Sequence, residues 1–293
     1  MAIPRPSASV LLVAPGNHVL LLQRVQQSSS FPSAHVFPGG NLSAFHEGPS
    51  PKPGTAGAYR DGESFRRAAI RETFEESGIL LARDRKRGSL LQLSEVERDS
   101  ARKEIHSDRI AFSTWLDKLD ARPDIEGLIP FTRWLTPKNM PKRFSTQMYL
   151  YFLQSNVSDK KEVIPVPTTD GGLEHVTARF LPAKTWLNMA RLGEIILFPP
   201  QFLLLHCLAQ HPSREELMEF IRSGSPPWGE KCISPLAKRK HPDGRVELAL
   251  DRPGPEVEAL DLGMSGVEDI SILVEFHKEG PRRLELITRD SKA

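Results

Sequence analysis

The stretch Arg71-Glu72-Thr73-Phe74-Glu75-Glu76-Ser77-Gly78-Ile79 constrains the fold of this 293-residue chain more than any other. At about 100° per residue, Glu75 and Glu76 fall within about 60° of Glu72 around a helix axis, while Ile70 and Phe74 point roughly the opposite way. A helix from Ser64 to Gly78 would bury one side and charge the other. Asp61 or Ser64 is placed to cap its first amides, and Gly78 to form its C-terminal turn. An isolated Glu-Glu pair is usually an ordinary solvated face. Three clustered acids repel, by about a few tenths of a kcal/mol per pair on a bare helix, and such groups take up protons at raised pKa. A hard cation removes that repulsion, and an oxygen-only donor set suits Mg²⁺ or Mn²⁺ rather than zinc.

The surroundings of the helix make the cation reading specific. The apolar run Val19-Leu20-Leu21-Leu22 and then Phe37-Pro38-Gly39-Gly40 stand ahead of it, and Glu63 precedes Arg71 by seven intervening residues. This arrangement resembles the Nudix box: glycine, five residues, glutamate, seven residues, then Arg-Glu-apolar-x-Glu-Glu-x-Gly-apolar. Glu63, Arg71, Glu72, Glu75, Glu76 and Gly78-Ile79 meet it, a coincidence of about one chain in 10⁴ to 10⁵ at ordinary residue frequencies. Thr73 departs from the usual aliphatic. Gly57 has the nominal glycine spacing, but Gly40 follows a strand and is taken as the structural glycine. Residues 41–62 are then an insertion inside the box. The segment is rich in Pro, Gly and Ser, has no apolar period, and reads as a surface loop.

The Nudix resemblance implies an α/β fold, an α/β/α sandwich with a mixed sheet. It also implies hydrolysis of a nucleoside diphosphate linked to another group, with Mg²⁺ or Mn²⁺. Carried onto this sequence, Glu75 and Glu76 are metal ligands and Glu72 is a third ligand or the general base. The Gly40 carbonyl completes the site, and Glu63 with Arg71 forms an ion pair bracing loop against helix. Glu174, after the Asp170-Gly171-Gly172 turn, is a candidate base from a distant loop.

Leu21-Leu22-Gln23-Arg24, the segment Ser33 to Gly40, the insertion, and Arg67 to Glu72 resemble the peroxisomal coenzyme A diphosphatase branch. Trp134-Leu135-Thr136-Pro137, Arg143-Phe144-Ser145-Thr146 and Gly193 to Gln201 resemble further segments of that branch, with Ser145 in place of its aspartate. The resemblance, over about residues 8 to 210, implies cleavage of coenzyme A or acyl-CoA to 3′,5′-ADP and (acyl-)4′-phosphopantetheine. Arg24 and Phe31-Pro32 echo an upstream coenzyme A signature, while Arg143, Lys142 and the basic run Arg83 to Arg87 are candidate contacts for the 3′-phosphate. Two alternatives stay open. One is a pyrophosphatase for NADH, ADP-ribose or capped RNA; the other is a non-catalytic Nudix-fold module that binds a nucleotide or partner.

The remaining features narrow the setting. A net charge of +2 argues against bulk nucleic-acid binding and leaves a small nucleotide as the partner. Cys207 and Cys232 make no disulfide framework, which suits a reducing compartment. Met1 to Val13 lacks a signal-peptide pattern, so the sequons at Asn41 and Asn156 read as chance. Ile195 to Leu208 is broken by Pro199-Pro200, Gln201 and His206, too short for a membrane span. Ser291-Lys292-Ala293 resembles the peroxisomal Ser-Lys-Leu address without its leucine, which leaves cytoplasmic and peroxisomal destinations. Periodicity predicts strands around Pro15-Gly16-Asn17, at Ala34 to Phe37, Phe131 to Leu135, Phe144 to Leu153 and Val176 to Leu181. It predicts helices in Arg98 to Leu119, Lys184 to Arg191 and Phe202 to Gln210. The expected organisation is a Nudix domain over 1–211 and a β-rich extension over 212–293, packed on that domain or in a homodimer contact.

Overall fold

The computed structural model describes residues 2–28, 32–153 and 166–288. Phe31, Asn156 and Ser291-Lys292-Ala293 lie outside the described residues. Alternating small and aliphatic residues make β1 (Arg5–Ala14), and a tight turn leads to β2 (His18–Arg24). The chain continues through β3 (His35–Val36), β4 (Gly39–Asn41), the short α1 (Ala44–Glu47) and the acidic helix α2 (Glu63–Ser77). Next come β5 (Ala82–Asp84), α3 (Glu95–His106), α4 (Phe112–Lys118) and β6 (Ala121–Pro123). The hairpin of β7 (Ile129–Leu135) and β8 (Phe144–Phe152) is followed by β9 (His175–Pro182), α5 (Ala183–Arg191), α6 (Pro199–Gln210) and α7 (Arg214–Ser223). The last elements are β10 (Cys232–Ile233), β11 (Leu236–Lys240), β12 (Val246–Leu250), α8 (Pro255–Ala259), β13 (Val267–His277) and β14 (Gly280–Thr288).

One mixed sheet organises the molecule, ordered β10-β7-β8-β1-β2-β3, with β4 added to β1 and β9 to β2. Strand β1 runs parallel to β8 along its length. It meets β2 only near the turn, at Val13 and Ala14, and pairs upstream with β4 through Ser7, Ala8 and Ser9. The two central strands therefore fork, and Gly39-Gly40 fills the fork.

The two-residue period of β1 divides the core. Ala8, Val10 and Leu12 join Phe65, Ile70 and Phe74 of α2, with Ile105, Phe112 and Trp115 behind them. Leu11 and Val13 face the opposite layer, where Trp186 of α5 and Leu203 and Leu204 of α6 pack. Helices thus cover both sheet faces, as the resemblance implies. The four-stranded sheet β11-β12-β13-β14 adds Leu248, Leu250, Ile272 and Val274 to this second layer, and β10 joins the main sheet beside β7. The region after His211 is strand-rich, and it shares a core with the sandwich.

Three local expectations change. Gly62, not Asp61 or Ser64, is the N-cap of α2, and no side chain caps it. Asp61 instead accepts from Arg66 at 2.6 Å and from the Tyr149 hydroxyl. Gly78 does end the helix, in the left-handed region at φ 73°, and its amide closes on Phe74 O. The insertion is not merely a surface loop: it contains α1, with His46 and Glu47 buried, and a helical turn that buries Ala58 and Tyr59 completely. Arg133 and Ser145 donate to the Ala58 carbonyl at 3.3 and 3.0 Å, pinning the insertion to β7 and β8. The basic run near Arg83 is paired with acids, Arg83 with Asp124 and Arg85 with Asp117. Both cysteines are free and buried, and among the described residues no helix is long and apolar enough to cross a membrane.

Candidate active site

Helix α2 delivers the acids of the box, but its charged side is not a solvated one. Strand β4, helix α3 and the turn before β9 cover it, so Glu75 and Glu76 are buried and Glu72 is nearly so. Thr73, the departure from the aliphatic pattern, is also buried, and its hydroxyl bonds back to Ala69 O at 2.7 Å.

Arg71 holds the arrangement together. Its guanidinium donates to Glu47 at 2.7 Å, to Glu75 at 2.7 Å, to the Asn41 carbonyl at 3.0 Å, and lies 2.9 Å from Glu72. Burial works against its charge, but Glu72, Glu47 and Glu75 outweigh that and keep it protonated. The bracing partner is therefore Glu47, not Glu63. Glu63 lies one turn from Arg67 on the exposed start of the helix and pairs with it. Glu47 also accepts from Ser43 N at 2.6 Å, so it ties the first half of the insertion to the helix. The sequence offered Glu63 at the nominal spacing, whereas Glu47 closes the bridge because the extra residues of the box fall after it.

Gly40 lies against Glu72. A Cβ at this position would stand 2.5 Å from a Glu72 carboxylate oxygen, so any larger residue would have to displace the Glu72 carboxylate. The neighbouring Gly39 amide donates to Glu76 at 2.8 Å. Burial raises Glu72 to about 7, with Glu75, Glu47 and Glu174 adding to the rise against the pull of Arg71. Burial also raises Glu76 well above the usual carboxylate range, Glu72 and Glu174 reinforcing it and Gly39 and Arg24 opposing it. Glu174 thus belongs to the same group of acids. Arg24 reaches it as well, because β2 and β9 place Arg24 opposite His175.

Besides Glu63, two sequence candidates do not converge here. Glu75 turns its carboxylate to Arg71 and to His106, 3.4 Å away, rather than to Glu76. Arg143 is buried in a bidentate pair with Glu256 of α8 and also donates to Thr136 O. It braces the β7-β8 hairpin against the extension, with its guanidinium buried and already paired rather than open to a phosphate. Two depressions, of about 240 and 510 Å³, flank Arg67 and Ser113 along the outer side of the box, the smaller reaching Arg85 and Arg122 and the larger Glu47 and Glu63.

The residue that sequence reading missed is His175. It is fully buried, its Nδ1 is 3.4 Å from Asp170 and its Nε2 is 3.8 Å from Glu76. Ligand atoms of Glu76, Glu174 and His175 all lie within 4.8 Å of one another. The only signal in the sequence was adjacency to Glu174. In a regular strand adjacent side chains oppose each other, but a register shift opposite Arg24 interrupts that alternation at the start of β9. A buried Glu76 with raised proton affinity, the exposed Glu174 beside it and an imidazole nitrogen that lacks a hydrogen-bond partner suit a divalent cation.

The chain resembles known proteins in sequence and in fold. The family model described as the NUDT19 Nudix domain matches residues 55–208, more than half of the chain. The protein named acyl-coenzyme A diphosphatase NUDT19 in Gallus gallus is 29% identical over 327 residues, covering 92% of this chain and 83% of that one. Its namesake in Homo sapiens is 30% identical over 253 residues, covering 71% of this chain and 64% of that one. A crystal structure of a Nudix hydrolase from Alicyclobacillus acidocaldarius superposes with a TM-score of 0.61 at 23% identity, over 75% of this chain and 97% of that one, which establishes the fold. With the acidic helix, the forked central strands and the glycine between them in place, the chain belongs to the Nudix hydrolases, in the family of the NUDT19 Nudix domain.

Proposed function

We propose that this Nudix pyrophosphohydrolase cleaves the diphosphate linkage of coenzyme A or acyl-CoA, releasing 3′,5′-ADP and (acyl-)4′-phosphopantetheine, with Mg²⁺ or Mn²⁺ bound. The observation that supports this most is the convergence of Glu72, Glu76 and Glu174 beside Gly40 in a chain whose relatives are named acyl-coenzyme A diphosphatases. Glu76 and Glu174 would hold the cation, which when bound would supply positive charge to an anionic diphosphate and acidify water. Glu72, which lies against Gly40 and within the field of the same acids, takes the proton from the attacking water. The water oxygen bonds to one phosphorus, the bridging oxygen leaves on the other phosphate, and the two products share the elements of water. Arg24 faces the same acids and brings positive charge toward an anionic substrate held there.

The test incubates the full chain with Mg²⁺ or Mn²⁺ and coenzyme A, acetyl-CoA, NADH and ADP-ribose in parallel. Coenzyme A or acetyl-CoA turns over at least about 10-fold faster than the other two, a difference of about 1.4 kcal/mol in transition-state binding. Similar turnover of all four would sink the substrate assignment. Glu76→Gln lowers kcat by about 10²-fold or more while the chain stays folded by circular dichroism. Unchanged turnover in that variant would remove Glu76 from the site.

A further inference from the structure

His175 opens β9 directly across the ladder from Arg24, and its side chain has no solvent exposure. Asp170 fixes the ring from one side. Its carboxylate accepts the amides of Gly172, Leu173 and Glu174 at 2.9 to 3.0 Å and that of His175 at 3.2 Å, and the His175 Nδ1 is 3.4 Å away. A carboxylate so bonded only accepts, so the neutral ring carries its proton on Nδ1 and presents the lone pair on Nε2. That Nε2 is buried without a hydrogen-bond partner. A buried polar atom left without a partner is unfavourable, so this nitrogen is suited to a ligand group.

The geometry says what kind of group. Glu76 Oε1 is 3.8 Å from Nε2, too far for a hydrogen bond. Two donors that each sit about 2.1 Å from one ion are roughly 3 to 4.2 Å apart, for angles from a right angle to a straight line. Glu174 brings a third donor within the same 4.8 Å span. An imidazole held by a carboxylate on its far nitrogen is a common way to orient a metal ligand.

We propose that His175 Nε2 is a nitrogen ligand to the divalent cation shared by Glu76 and Glu174, with Asp170 as the residue that orients the ring. This rests on the reading that the acidic helix holds a cation, and it changes the donor set from oxygen-only to mixed. A mixed set favours first-row transition ions such as Mn²⁺ over Mg²⁺, because imidazole binds Mg²⁺ poorly.

Manganese chloride added to the full chain provides the probe, since Mn²⁺ reports its ligands by pulsed electron paramagnetic resonance without any turnover. The wild-type spectrum shows ¹⁴N modulation from a directly bound imidazole. In His175→Gln the modulation disappears and Mn²⁺ affinity falls about 10- to 100-fold, while Mg²⁺ affinity, measured by calorimetry, changes less than about 3-fold. Asp170→Asn retains the modulation and weakens Mn²⁺ by a smaller factor. Mn²⁺ bound to the wild-type chain without ¹⁴N modulation overturns the assignment of His175 and leaves the cation site standing. A wild-type chain that binds no Mn²⁺ overturns both. Should His175→Gln fail to fold, the wild-type spectrum alone decides, because a purely structural histidine gives no such signal.

Discussion

Arg71 is surrounded by three carboxylates, and which of them matters to stability follows from burial rather than from position in the motif. Glu47 is fully buried against it, while Glu63 is 60% exposed and bonds to a half-exposed Arg67. Removing one partner of a buried pair leaves an uncompensated charge, whereas an exposed i,i+4 pair contributes about 0.3–0.5 kcal/mol. Glu47→Ala therefore costs about 3 kcal/mol in urea unfolding and Glu63→Ala less than about 0.5 kcal/mol. Equal losses would restore Glu63 as the brace. A second residue sets the response to acid. His35 is buried beside Trp186, and burial, helped by Arg179, lowers its pKa to about 4. The unfolded chain binds this proton near 6.5, so His35 favours the fold fully above that value and the advantage is lost as pH falls from about 6.5 to 4. The loss reaches about 3 kcal/mol, and His35→Phe flattens the stability profile across that window. A profile as steep in the variant as in the wild type would clear His35 of the effect.

At the scale of elements, the insertion divides into a dispensable stretch and an anchor. Lys52, Pro53, Gly54 and Thr55 are exposed, whereas Tyr59 is fully buried in a cluster with Leu135, Cys232 and Val257. Tyr59→Ala costs about 3–5 kcal/mol by analogy with other large aromatic truncations, while replacing 51–55 by a Gly-Ser link of equal length changes stability by less than about 1 kcal/mol. Thermal denaturation of the two variants checks this, and equal effects would mean that the insertion packs as one unit. The anchor was not legible in the sequence, because one Tyr and one Ala in a Pro- and Gly-rich run make no period. The main strands and helices were legible for the opposite reason. In β1 the alternation of Ala8, Val10 and Leu12 with Leu11 and Val13 is written at period two, and both halves meet covering helices. The strands β4, β5, β6, β10, β11 and β14 were not legible; β11, Leu236-Ala-Lys-Arg-Lys, is exposed throughout and has no apolar face to announce it.

At the scale of the whole molecule, the extension and the sandwich form one body through the shared apolar layer and the Arg143–Glu256 pair. Arg143→Met lowers stability by about 1–2 kcal/mol, since it leaves a partly exposed Glu256 unpaired, yet leaves KM for the proposed coenzyme A substrate within about 2-fold of wild type. A large rise in KM with unchanged stability would return Arg143 to the substrate. The sequence by itself determined the superfamily, the central strands and the acids of α2, because spacing along one helix is a local property that a helix of any surroundings must obey. Tertiary structure decided the partners. Glu47 rather than Glu63 braces Arg71, Glu75 turns away to His106, and His175 comes to Glu76 across about a hundred residues, because hydrogen bonds and ion pairs between distant segments depend on how the strands fork and register. No spacing in the chain encodes a contact that exists only once β2 and β9 have paired.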